Sequence, residues 1–121
     1  MIVPAAAPRV LVATRPVDFR KGMDGLAALV QADLEADPFS GVIYVFRSRR
    51  ADRVKLLYWC GDGFAIWYRR LEKGTFQLPS ARKEEVRLEM KASDLTLILD
   101  GIDLTSVRRR PRYERPVGMQ A

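Results

Sequence analysis

Three apolar runs in the middle of the chain limit what it can fold into. Val42–Arg47, Val54–Cys60 and Phe64–Leu71 are each six to eight residues long and rich in β-branched and aromatic side chains. That length and composition suit strands and are short for helices. Gly61-Asp62-Gly63 is a strong turn signal between the second and third runs. The polar segment Ser48–Arg53 joins the first to the second. Runs this short and this close predict two or three consecutive antiparallel strands.

The flanking sequence adds elements on both sides. Arg9–Thr14 reads as a further strand, broken by Pro16. Asp18 is placed to cap a helix over about 19–35, in which Phe19, Met23, Leu26, Val30 and Leu34 share a face with Ala27. Gly22 and Gly25 fall in its first turns, each costing about 1 kcal/mol relative to Ala. They point either to tight packing or a frayed start, or to close approach of another backbone or a phosphate. Asp37–Gly41 is a turn. Thr75–Leu78 reads as a short edge strand stopped by Pro79. Val86, Leu88 and Met90 alternate with charged residues as in a half-exposed strand. Ser93 is a candidate N-cap for a second helix over about 94–100, which Gly101 stops.

The predicted fold class is α+β: a mostly antiparallel sheet of about four to six strands with two helices. A single domain is expected over 9–104, between a flexible N-terminus (1–8) and a basic, disordered tail (105–121).

Composition narrows the chemistry. The 121 residues include no histidine and one cysteine, Cys60. Imidazole-based nucleophile systems are excluded, as are an intrachain disulfide and zinc sites built from Cys and His. No stretch is long and apolar enough to span a bilayer, and residues 1–8 lack the features of a signal peptide. A cytoplasmic protein is expected, associated with the nucleoid when bound to DNA. No cofactor, metal or catalytic residue is expected.

The net charge of +6 is uneven. Residues 47–70 carry +5 and residues 105–121 carry +4, so the rest of the chain is net negative. Arginine supplies 16 of the 21 basic residues, and its planar fork suits phosphate. A polyanionic partner, above all nucleic acid, is the natural reading. The candidate contacts are Arg47, Arg49, Arg50, Arg53, Lys55, Arg69 and Arg70. Arg20 and Lys21 join them at a helix start, and Arg108, Arg109, Arg110 and Arg112 are tail candidates. A solvated tail is an equally good reading. The interleaved aromatics Tyr44, Phe46, Tyr58, Trp59, Trp67 and Tyr68 read chiefly as core, although stacking platforms for bases would look the same. Asp18, Asp24, Asp52 and Asp62 are the carboxylates to inspect for a two-metal nuclease site. Their positions in turns and helix starts favour capping instead. Cys60 reads as a small buried residue.

Several segments carry a family likeness. They are Asp18–Leu26 (DFRKGMDGL), Asp37–Gly41 (DPFSG), Val45–Arg50 (VFRSRR), Lys55–Trp59 (KLLYW), Arg69–Phe76 (RRLEKGTF) and Leu99–Asp103 (LDGID). In this order and spacing they resemble the Orf2-like accessory family, also called TnpB, of bacterial insertion sequences of family sixty-six. (This is not the RNA-guided nuclease that shares the name.) Phe19 stands where the family often has methionine, and Cys60 where an aspartate commonly follows the tryptophan. The resemblance implies a non-catalytic accessory protein for transposition. Its expected partners are DNA, a separate transposase that carries the nuclease chemistry, and the element's other accessory protein. An adaptor that holds proteins together without touching DNA is the alternative.

Overall fold

A computed structural model describes residues 9–101, apart from positions 80 and 83. Five strands and two helices follow one another: β1 (Val10–Ala13), α1 (Met23–Ala32), β2 (Ile43–Arg47), β3 (Arg53–Trp59), β4 (Phe64–Arg70), β5 (Arg87–Met90) and α2 (Ala92–Leu99). The strands form one sheet in the order β4-β3-β2-β1-β5. Only the β1–β2 pair is parallel, and α1 lies in its crossover; the other three pairs are antiparallel. The fold is therefore α+β with a mostly antiparallel sheet, as the sequence predicts.

Each face of the sheet is covered by one helix. Val10, Val12, Val45, Val54 and Leu56 point to the side closed by Leu95 and Ile98 of α2 and by Phe76. Leu11, Tyr44, Phe46 and Leu57 point to the side closed by Leu26 and Val30 of α1 and by Leu34. This explains the unbroken apolar runs in β1 and β2: central strands buried on both faces have no polar side to show. β5, at the edge, keeps the alternation seen in its sequence. The buried Tyr44 hydroxyl donates to the Asp37 carbonyl at 2.7 Å, so its polar tip is satisfied.

Several element boundaries differ from expectation. α1 begins at Met23, not 19, with Gly22 as an extended N-cap that carries no side-chain hydrogen bond. Asp18 caps no helix; its carboxylate accepts the Arg20 N–H at 2.9 Å in a separate turn. Phe19 is excluded from the helix because its ring packs edge-on against Tyr68 of β4. At the other end the chain leaves the helix after Ala32, reverses at Glu35 (φ 51°), and still buries Leu34. No second backbone approaches either glycine among the described residues: a Cβ at Gly22 meets nothing within 4 Å, and one at Gly25 meets the Lys21 side chain at 3.1 Å. α2 starts at Ala92 with Lys91, not Ser93, as its N-cap, and Gly101 (φ 91°) ends it as predicted.

The expected edge strand Thr75–Leu78 does not form. Its Phe76 side chain is drawn into the α2-side core instead, and its N–H bonds to the Ala51 carbonyl at 2.7 Å. Cys60 is exposed rather than buried, because β3 ends at Trp59 and the turn carries Cys60 beyond the sheet. Residues 1–8 and 105–121, including the tail candidates Arg108, Arg109, Arg110 and Arg112, lie outside the described residues.

Candidate nucleic-acid interface

Strand register assembles the basic residues. Arg47 of β2, Val54 of β3 and Arg69 of β4 occupy one row across the sheet. Arg53 and Arg70 form the next row outward. Beyond them lies the β2–β3 turn, which carries the exposed Arg49 and Arg50. The same end of the sheet holds the segment just after β1, with Arg15, and the start of β5. One end of the sheet thus gathers cations from segments far apart in sequence.

The β2–β3 turn is firmly built. Ser48 is buried, and its hydroxyl donates to the Asp52 carboxylate (3.0 Å) and accepts the Arg53 N–H (3.1 Å). The Ser48 N–H bonds to the Arg53 carbonyl, and the Ala51 N–H to the Ser48 carbonyl. Ala51 adopts φ 59°, a left-handed conformation that costs an L residue about 1–2 kcal/mol. The surrounding bonds hold that strain, and Arg49 and Arg50 are presented at the tip.

The guanidiniums divide by what they already hold. Arg69 donates to the Leu99 carbonyl at the end of α2 (2.9 Å) and lies over the Trp67 ring at 4.9 Å. A cation there complements the helix dipole. Arg70 pairs with Glu72 at 3.0 Å. Arg53 lies 3.8 Å from Asp52 and 5.7 Å from the Phe19 ring centre, and its buried Nε has no hydrogen-bond partner among the described residues. Arg47 is half-buried and makes one long bond to the Thr14 carbonyl, 3.3 Å. Arg49 and Arg50 make no ion pair among the described residues.

Lys55 stands apart. It sits on the α1 side of the sheet, between Phe46 and Tyr68 in its row, and is only 8% exposed. Its ammonium donates to the carbonyls of Phe19 (2.8 Å) and Lys21 (2.9 Å) and lies 5.1 Å and 5.4 Å from the Phe19 and Tyr68 ring centres. These contacts use the charge inside the protein, where a phosphate cannot reach it. Lys55 therefore fastens the Asp18–Gly22 turn to the sheet.

Arg20 and Lys21 belong to that turn. Lys21 is exposed. Arg20 grips Asp18 through several guanidinium hydrogen bonds, the shortest 2.7 Å. The Arg20 side chain, and then its backbone N–H, hold the Asp18 carboxyl down at about 2, against an ordinary 3.8. A depressed acid favours the folded state above the ordinary value, and that contribution disappears as pH falls through about 2. An NMR titration of Asp18 is expected to show a midpoint near 2. Arg20→Ala is expected to raise it towards 3.8 without restoring it fully, since the backbone N–H bond remains.

The four inspected carboxylates do not converge. Asp18 is held by Arg20, and Asp52 lies at the basic end of β3. Asp62 lies in the turn beyond the other end of β3, about 20 Å away along the strand. Asp24 is in the first turn of α1. Among the described residues no cluster of three or more acidic or thiol groups is placed to hold a metal.

The aromatics serve mainly as core. Tyr44 and Phe46 are buried, and Tyr58 and Trp67 pack on the α2 side. At the end of the sheet opposite the cations, Phe39, Trp59 and Phe64 form a cluster with ring centres 4.9–5.2 Å apart, and Phe39 is 52% exposed.

Two cations missing from the expected set face the same end, Arg15 and Arg82, each exposed. Arg15 precedes the strand-breaking Pro16, and Arg82 follows a proline-bounded loop. Isolated in sequence, they join the others only through β1–β2 and β1–β5 pairing. Among the described residues no helix is long and apolar enough to cross a membrane.

The described residues thus form a small three-layer domain, a sheet with one helix on each face, whose basic end carries arginines without an ion pair among the described residues. The comparisons give it a family. The family model described as IS66 Orf2-like protein matches residues 8–109, and the chain belongs to that family. This links it to the transposition of IS66 insertion elements in an accessory role. The chain is 44% identical over 116 residues to the uncharacterized protein y4jC of Sinorhizobium fredii (strain NBRC 101917 / NGR234), covering 96% of this chain and 97% of the relative. It is 36% identical over 95 residues to the uncharacterized protein y4hO of the same strain, covering 78% and 81%. No solved structure matches the chain significantly.

Proposed function

We propose that this protein is a non-catalytic accessory factor for transposition that binds DNA phosphates through the basic end of its sheet. The observation that carries this reading is the rigid β2–β3 turn, which presents Arg49 and Arg50 free of ion pairs among the described residues. Arg15, Arg47 and Arg82 flank it. Arginines held on an ordered scaffold suit backbone contacts that position a protein on DNA without reading its sequence. Arg69 bonds to Leu99, so the described chain ends beside these cations. In the sequence, Arg108, Arg109, Arg110 and Arg112 supply further positive charge for the same partner; they lie outside the described residues. Binding to a duplex from the element's end, measured against salt, tests this reading. Loss of the salt dependence or of binding itself would sink it.

A second reading rests on the Phe39–Trp59–Phe64 cluster at the opposite end. Here the protein is an adaptor whose aromatic patch docks the element's transposase. Association that survives nuclease treatment and is lost in Phe39→Ala supports it. Association that requires DNA counts against it.

A further inference from the structure

A cleft of about 530 Å³ opens at the C-terminal ends of the parallel strands β1 and β2. Its volume falls in the range of about 300–1,000 Å³ typical of small-molecule sites. Arg15, Arg47 and Arg82 line it. None of the three is in an ion pair among the described residues. Glu85, the one acidic residue in the described lining, offsets one of these charges; its carboxylate accepts the Arg82 backbone N–H at 3.0 Å and closes a local turn. Three guanidiniums against one carboxylate leave the described lining net positive, which favours an entering anion. The described lining also includes the apolar residues Phe76, Leu78 and Pro79. Phe76 is fixed there by its N–H bond to Ala51 and by its burial in the core.

From this combination of cationic and apolar lining, we infer that the cleft binds a single nucleotide. The arginines hold its phosphate, and its base or sugar lies against the half-buried Leu78 and Pro79. Bidentate phosphate contacts are the geometry arginine favours. A bare phosphate would use only half of the cleft; a nucleotide uses both. The unit has two sources, a free mononucleotide or the phosphorylated end of a DNA strand. The second deepens the DNA-binding role proposed above and rests on it.

The test is calorimetric titration of the full chain with a 2′-deoxynucleoside 5′-monophosphate, with inorganic phosphate, and with single-stranded oligonucleotides bearing or lacking a 5′-phosphate. The mononucleotide is expected to bind at one site at least about tenfold more tightly than inorganic phosphate. Arg15→Ala and Arg82→Ala, both at exposed positions, are each expected to weaken it about tenfold, the loss of one charge-assisted contact. Arg9→Ala, which removes an exposed cation at the opposite end of β1, leaves it unchanged. Competition by the phosphorylated oligonucleotide, but not by its unphosphorylated twin, identifies a strand end as the ligand. Competition by neither identifies a free nucleotide. Mononucleotide binding no tighter than phosphate, or indifferent to Arg15 and Arg82, overturns the inference. If duplex DNA fails to bind while the mononucleotide still does, the DNA reading falls and the cleft stands. The reverse result removes the cleft alone.

Discussion

Replacing Lys55 with methionine is expected to lower the unfolding free energy by about 2–3 kcal/mol, the worth of hydrogen bonds from a charged donor. The methionine keeps the apolar stem and so isolates the ammonium. Two bonds vanish, to the carbonyls of Phe19 and Lys21, and both carbonyls lose their donor. Contacts to the Phe19 and Tyr68 rings go with them, worth roughly a further 0.5–1 kcal/mol. A chain of this size should melt roughly 10 °C lower. The turn before α1 hangs on these bonds, so amide exchange should quicken around Phe19 and Lys21 more than in β2. A urea midpoint unchanged from wild type would show that Lys55 is replaceable, and that the turn is held by Phe19 packing alone.

The second large effect concerns function. Arg49→Ala together with Arg50→Ala is expected to weaken duplex binding roughly 30- to 100-fold, from two lost charge-assisted contacts. The loss should be similar across sequences, because phosphate contacts carry no base information. Stability should barely change, since neither side chain has a partner among the described residues and both are exposed. A triple substitution including Arg53 would confuse the result: its guanidinium packs near Phe19 and its Nε is buried. A preference that shifts at particular base pairs would mean that these arginines read bases.

The strands were legible because their signals are local. Val42–Arg47 announces itself by composition, and Gly61-Asp62-Gly63 by turn chemistry. What escaped depends on tertiary contacts. Lys55 counts as one more cation in a basic stretch until register puts it under the Asp18–Gly22 turn. Phe19 fits the helical face of Met23 and Leu26, yet its ring serves better against Tyr68 and Lys55. Thr75–Leu78 has the look of a strand, but Phe76 gains more from the core than from an edge pairing. Cys60 continues an apolar run by one residue after the sheet has ended. The basic stretch 47–70 was visible as charge, and the fold adds a division within it. Arg69 and Lys55 hold structure together, Arg70 is matched by Glu72, and Arg49 and Arg50 have no ion pair among the described residues. Arg15 and Arg82 carry no local signal at all; only strand order brings them to the same end.

The most direct test of the central claim is the affinity of the intact chain for element-end duplex between about 50 and 200 mM salt. Five or six phosphate contacts predict a slope of about −5 in log K against log salt, and losing Arg49 and Arg50 flattens it to about −3. No binding at the lowest salt, or an affinity that salt does not change, would contradict a protein that works by gripping the DNA backbone.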